Sequence, residues 1–185
     1  MSKFNVKHLI ATFVLISGLG SAGCSQDPPV PTRIPPVDSD LVSESYSAAD
    51  TLLDQAPWLR EQREPMLTAS FVNINALENS SALGRMISEQ MSSRFAQQGF
   101  TMIELKMRTN VFIKQNAGEF VLSREVQNLS KNYNAGAVVA GTYAVGRRSV
   151  YINARLIRAA DSLILASYDY SLPLGPDTKA LLASQ

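Results

Sequence analysis

Residues 137–172 constrain the fold more tightly than any other part of the chain. Three extended runs, about Ala137–Val145, Val150–Arg158 and Leu163–Leu172, are separated only by Gly146-Arg147-Arg148-Ser149 and Ala159-Ala160-Asp161-Ser162. Such short polar connections force neighbouring antiparallel strands. With Arg147-Arg148 as a two-residue turn, Val145 opposes Val150, Tyr143 opposes Ile152, Gly141 opposes Ala154 and Val139 opposes Leu156. All eight are apolar, aromatic or small, as a face beneath helices must be. Gly141 opposite Ala154 would leave room for a helix to come close. The other face then carries Ala144/Tyr151, Thr142/Asn153 and Ala140/Arg155. A four-residue second loop would bring Tyr168 opposite Asn153 and Tyr170 opposite Tyr151. This predicts a polar-aromatic surface of Tyr151, Asn153, Arg155, Tyr168 and Tyr170 away from the core helices, with Arg147 and Arg148 at its edge.

Upstream, the periodicity is mixed. Leu41, Ser45, Ala48, Ala49, Leu52 and Leu53 form one helical stripe that ends at Asp54-Gln55-Ala56-Pro57. Residues 65–74 read as a strand. Asn79-Ser80-Ser81 offers caps for a helix over 82–98, with Leu83, Ile87, Met91 and Phe95 inward and Gly99 as its stop. Residues 100–105 read as a second strand, with short extended pieces at 111–113 and 119–122. Ser123 would cap a further helix with Val126, Leu129 and Tyr133 inward. The order β-α-β-α-β-β-β predicts an α/β domain over 65–172: a mixed sheet with helices on one face. A helix and connector (41–64) precede it and a carboxyl-terminal tail (173–185) follows.

The amino terminus reads as an export signal over 1–23. Lys3, Lys7 and His8 precede an apolar run of eleven residues, Leu9 to Leu19. A membrane-spanning helix needs about 20 residues. Ser21-Ala22-Gly23 and Cys24, the sole cysteine, follow. This pattern resembles the lipobox of bacterial lipoproteins, although Ser21 stands where that pattern usually has Leu. The resemblance implies that Cys24 is diacylated and becomes the first mature residue. Ser25 in place of Asp implies carriage to the outer membrane. Two acyl chains suffice for stable anchoring where one is marginal. Residues 25–40 hold five of the nine prolines. The segment 24–40 therefore reads as a lipidated cysteine and a stiff tether, of which about fifteen residues reach at most about 45 Å at about 3.1 Å per residue.

Composition removes most enzyme classes. Seventeen Lys and Arg against sixteen Asp and Glu give no basic field for nucleic acid. One Cys and one His preclude a disulfide framework or a Cys/His zinc site. Cleavage would remove Lys3, Lys7 and His8, leaving one more acid than base and no histidine, hence no Ser-His-Asp or Cys-His arrangement. Glu119/Glu125 and Asp161/Asp169 read as solvated carboxylates, and Met86 and Met91 as helix-face packing. No catalytic residue, metal or cofactor is expected beyond lipid on Cys24.

The runs Ala69-Ser70-Phe71-Val72-Asn73, Ser80-Ser81-Ala82-Leu83-Gly84-Arg85, Gln97-Gln98-Gly99-Phe100, Gly118-Glu119-Phe120-Val121-Leu122-Ser123-Arg124, Gly141-Thr142-Tyr143 and Asn153-Ala154-Arg155-Leu156 occur in that order. Together they resemble the FlgO family, outer-membrane lipoproteins of polar flagella, over about residues 65–167. The resemblance implies a non-enzymatic part of the flagellar basal body. Ring proteins and other copies of itself would be its partners, with no nucleic acid and no small-molecule substrate. It also implies a fold shared with curli-secretion and cell-wall-synthase-activator lipoproteins. A regulator of a cell-wall synthase is the competing expectation, but reaching inner-membrane enzymes through the wall calls for a longer linker. The partner side is expected to be the polar sheet face, or the helix over 41–55 if it packs there.

Overall fold

A computed structural model describes residues 37–62, 64–77, 79–104, 114–116, 119–121 and 124–184. The expected signal segment, Cys24 and most of the expected tether lie outside the described residues, as does the extended piece expected at 111–113. In chain order the elements are α1 (Leu41–Gln55), α2 (Leu59–Gln62), β1 (Met66–Thr68), β2 (Val72–Asn73), α3 (Ala82–Gln97), β3 (Met102–Glu104), β4 (Lys114–Asn116), β5 (Glu119–Val121), α4 (Arg124–Asn132), β6 (Ala137–Val145), β7 (Ser149–Arg158), β8 (Ile164–Pro173) and α5 (Pro176–Ala183).

The main sheet runs β3-β1-β6-β7-β8, and β2 also pairs with β6. β1, β2 and β3 are parallel to their neighbours, and β6-β7-β8 form the antiparallel meander. β4 and β5 make a separate hairpin. The expected strand over 65–74 is two strands. Between them Phe71 turns fully into the core, its amide donating to the Gly84 carbonyl at 3.3 Å. Its ring fills the space above Gly141, where a Cβ would stand 2.1 Å from Cε1. The missing side chain at Gly141 thus accommodates an aromatic ring and not a helix.

Both long helices start on side-chain caps. Asp40 accepts from the amides of Val42 (3.0 Å) and Ser43 (3.1 Å), and Ser81 accepts from Gly84 at 3.3 Å. Gly99, at φ 90°, follows α3 in the left-handed conformation that stops helices. α1 and α3 lie together on one face of the sheet. Leu52, Leu53, Leu83, Ile87, Met91 and Phe95 are fully buried there with Val139, Ile152 and Leu156. Arg94 of α3 clamps Asp50 of α1 through Nε (2.8 Å) and Nη2 (2.7 Å). The helix over 41–55 therefore packs on the core face and leaves the opposite face uncovered by it. Met86 is exposed, unlike Met91, and Tyr133, expected to point inward, is 52% exposed. The Val126 and Leu129 side chains lie outside what is described.

The segment expected as a tail contains α5. Asp38, assigned to the tether, caps that helix from 140 positions upstream. Its carboxylate accepts from the amides of Asp177 (2.9 Å) and Thr178 (3.0 Å) and from the Thr178 hydroxyl (2.7 Å). Gly175 makes this possible, since a Cβ there would stand 2.3 Å from the Asp38 Cγ. The other end of α5 is tied down as the Ser184 carbonyl accepts from Ala82 at 2.7 Å.

Candidate functional site

The sheet has two unlike halves on the side away from α1 and α3. Near β1, the residues Leu67, Val138, Ala140 and Ile157 form a second, fully buried apolar cluster. Toward β8 the surface becomes polar and opens. The β6–β7 register matches the sequence expectation at every pair, so Ala144/Tyr151, Thr142/Asn153 and Ala140/Arg155 do share this face.

The β7–β8 register does not match. Leu156 pairs with Ala166 and Ile157 with Ile164, which leaves Leu165 as an extra residue in a bulge. One residue of slip reverses every side chain that follows. Tyr168 opposes Ala154 and Tyr170 opposes Ile152, so both tyrosines lie on the helix-covered face. Their rings stack there at 5.8 Å with 23° between planes. The Tyr170 hydroxyl ends beside Ser45 of α1, and burial pushes its pKa up. Both residues leave the expected surface, and Ser167, Asp169 and Ser171 replace them.

What the fold assembles is therefore Tyr151, Asn153 and Arg155 from β7 with Ser167, Asp169 and Ser171 from β8. Asn153 Nδ2 donates to Asp169 Oδ1 across the pair. Arg155 is partly buried. That burial lowers its pKa, and the Asp169 carboxylate opposes the shift. Tyr151 is 61% exposed, the most exposed aromatic among the described residues. Its ring leans over the β6–β7 turn, 3.1 Å from where a Gly146 Cβ would be. Arg147 and Arg148 project into solvent at that turn, and the Arg148 carbonyl accepts from Leu174 at 2.8 Å. The β8 edge is blocked at one point: Gln55 of α1 donates to the Ser167 carbonyl (2.9 Å) and accepts from its amide (3.2 Å). The signal for the true face was present, because Ala166, Tyr168, Tyr170 and Leu172 alternate with Ser167, Asp169 and Ser171.

This surface presents hydrogen-bonding groups and one large aromatic on a rigid strand pair, the chemistry of a protein contact. Among the described residues no three His, Cys, Asp or Glu side chains gather as a metal site would require. Asp161 is engaged by Arg158 at 3.2 Å and Asp169 by Asn153, so these two carboxylates do not form a pair.

Several solved structures are similar at low identity. The LpoB C-terminal domain from Salmonella enterica is 14% identical, with a TM-score of 0.45 over 69% of this chain and 97% of that one. The NMR structure of E. coli LpoB is 13% identical, with a TM-score of 0.47 over 90% and 83%. A PelC dodecamer from Paraburkholderia phytofirmans is 10% identical, with a TM-score of 0.41 over 65% and 81%. No curated protein is a significant match. The profile of the FlgO protein family matches residues 46–177, from the first turns of α1 to the first turn of α5. The chain belongs to the FlgO family.

Proposed function

We propose that this protein is a non-enzymatic lipoprotein of the bacterial flagellar basal body, anchored in the outer membrane through Cys24 and contributing to an outer ring that supports flagellar stability and motility. The observation that carries this reading is the FlgO match, which takes in nearly the whole folded region. The open half of the sheet supports it as a contact surface for a neighbouring ring protein or another copy. Tyr151, Asn153 and Arg155 would supply the contacts, with Arg147 and Arg148 at the rim. Tyr and Arg are enriched where interfaces bind tightly, whereas rim charges contribute little.

The test is fractionation and affinity capture of the tagged protein in cells with and without flagella. The protein should sediment with the outer membrane and copurify with basal-body components in flagellated cells. Capture of a cell-wall synthase in both cell types, with no basal-body component in either, would overturn the reading in favour of the regulatory alternative.

A further inference from the structure

At the end of the sheet opposite the β6–β7 turn, a cleft of about 670 Å³ opens between α2, the last turn of α4, and the strand ends at Gly136 and Arg158. That volume lies within the roughly 300–1,000 Å³ range of small-ligand sites. Among the described residues its walls are Trp58, Gln62, Glu64, Lys131, Asn134 and Arg158, with alanines, Ser130 and Gly136 between them. Trp58, half-buried, is the only tryptophan of the chain. Gly136 gives Glu64 its place, since a Cβ there would stand 2.0 Å from Glu64 Oε2.

The lining selects a kind of ligand by exclusion. Six polar or charged side chains among the described residues make it a poor site for an apolar molecule. It is equally poor for a phosphate. Lys131 and Arg158 are balanced by Glu64 and by Asp161, 3.2 Å from Arg158. The α4 terminus facing the cleft is the carbonyl end, whose dipole disfavours anions. What remains is an uncharged molecule with many donors and acceptors and at least one flat C–H face. Amide, carboxylate, ammonium and guanidinium groups supply complementary partners of both kinds. An indole supplies a surface for the C–H face. A short glycan has that chemistry.

We infer that this cleft is a carbohydrate-binding site for a short, uncharged oligosaccharide, with Trp58 beneath a sugar ring and Gln62, Glu64 and Asn134 on its hydroxyl or acetamido groups. The site lies at the far end of the sheet from Tyr151 and does not depend on the flagellar reading.

The unique Trp58 makes the test direct. The full-length protein, in a zwitterionic detergent without a sugar head group, is titrated with tri-N-acetylchitotriose and with maltotriose while tryptophan emission is followed. A saturable change with either sugar is expected. Response to the first alone would assign an N-acetylated amino sugar, and to the second alone a plain hexose. Glu64→Ala and Gln62→Ala should each weaken binding about tenfold, the loss of one good hydrogen bond, with melting temperatures unchanged. Tyr151→Ala should bind as the wild type does. No saturable change with either sugar, or a change that both cleft variants leave intact, would overturn the inference.

Discussion

At Gly141 a single methyl group should do heavy damage. An alanine Cβ would lie 2.1 Å from Phe71 Cε1, 2.4 Å from Cδ1 and 2.6 Å from the Asn153 carbonyl oxygen. Phe71 is fully buried and its amide is held by Gly84, so the ring cannot swing aside without disturbing the start of α3. Overpacking alone costs about 1–3 kcal/mol, and expulsion of a buried phenylalanine about 3–5 kcal/mol. Gly141→Ala should therefore destabilise the protein by about 2–4 kcal/mol. For a chain of this size that is a fall in Tm of about 5–15 °C. Urea denaturation gives the free energy, and a double-mutant cycle identifies the cause. In a Phe71→Ala background the same Gly141→Ala change should cost at least about 1 kcal/mol less, because the ring is gone and only the Asn153 carbonyl oxygen remains close. If the two substitutions add within about 0.5 kcal/mol, the ring is not what Gly141 accommodates and the reasoning fails.

Phe95→Ala should cost about 3–5 kcal/mol, since Phe95 is fully buried against the sheet; an unchanged urea midpoint would contradict its placement. Cys24→Ser should release the protein from the outer-membrane fraction, and mass spectrometry of the wild type should show acyl chains on Cys24. Tyr151→Ala and Arg155→Ala should impair swimming and copurification at unchanged export. A sharp fall in Tm for Arg155→Ala would instead make that residue an internal support. The Asp50 pKa is held down first by its hydrogen bonds to Arg94, and that of Asp38 by Thr178. Both carboxylates therefore stabilise the fold fully above the ordinary carboxylate range, near pH 4, and lose that contribution as pH falls further. Asp50→Asn should flatten the decline of Tm between about pH 5 and pH 3, and an unchanged slope would remove the Arg94 clamp from the account.

Legibility in the sequence tracked how locally each feature is encoded. The β6–β7 pairing could be read to the residue because a two-residue turn fixes register and both faces are marked by residue type. The β7–β8 pairing could not, because counting across a loop is blind to a bulge. Leu165 shifted the count by one and carried Tyr168 and Tyr170 to the wrong face. The helix stripes were legible from their fourfold repeats, yet nothing in the α1 stripe says which sheet face it covers. That depends on contacts with β8 more than a hundred residues away, such as Gln55 with Ser167. The cleft around Trp58 was invisible for the same reason. Its walls come from residues 58–64, 130–136 and 158–160, which no local pattern connects.

The clasp between Asp38 and the start of α5 sets the route by which force enters the domain. Tension on the chain preceding Asp38 meets three hydrogen bonds of 2.7–3.0 Å before it reaches the first turn of α1. Because all three converge on one carboxylate, they are strained together and not broken in sequence. Load passes to α5, which is fastened at its far end to the head of α3. A pull on the segment before Asp38 is thus delivered to the carboxyl-terminal helix and the core behind it. While the clasp holds, α1 keeps its cap and its seat on the sheet and does not unwind from its exposed end.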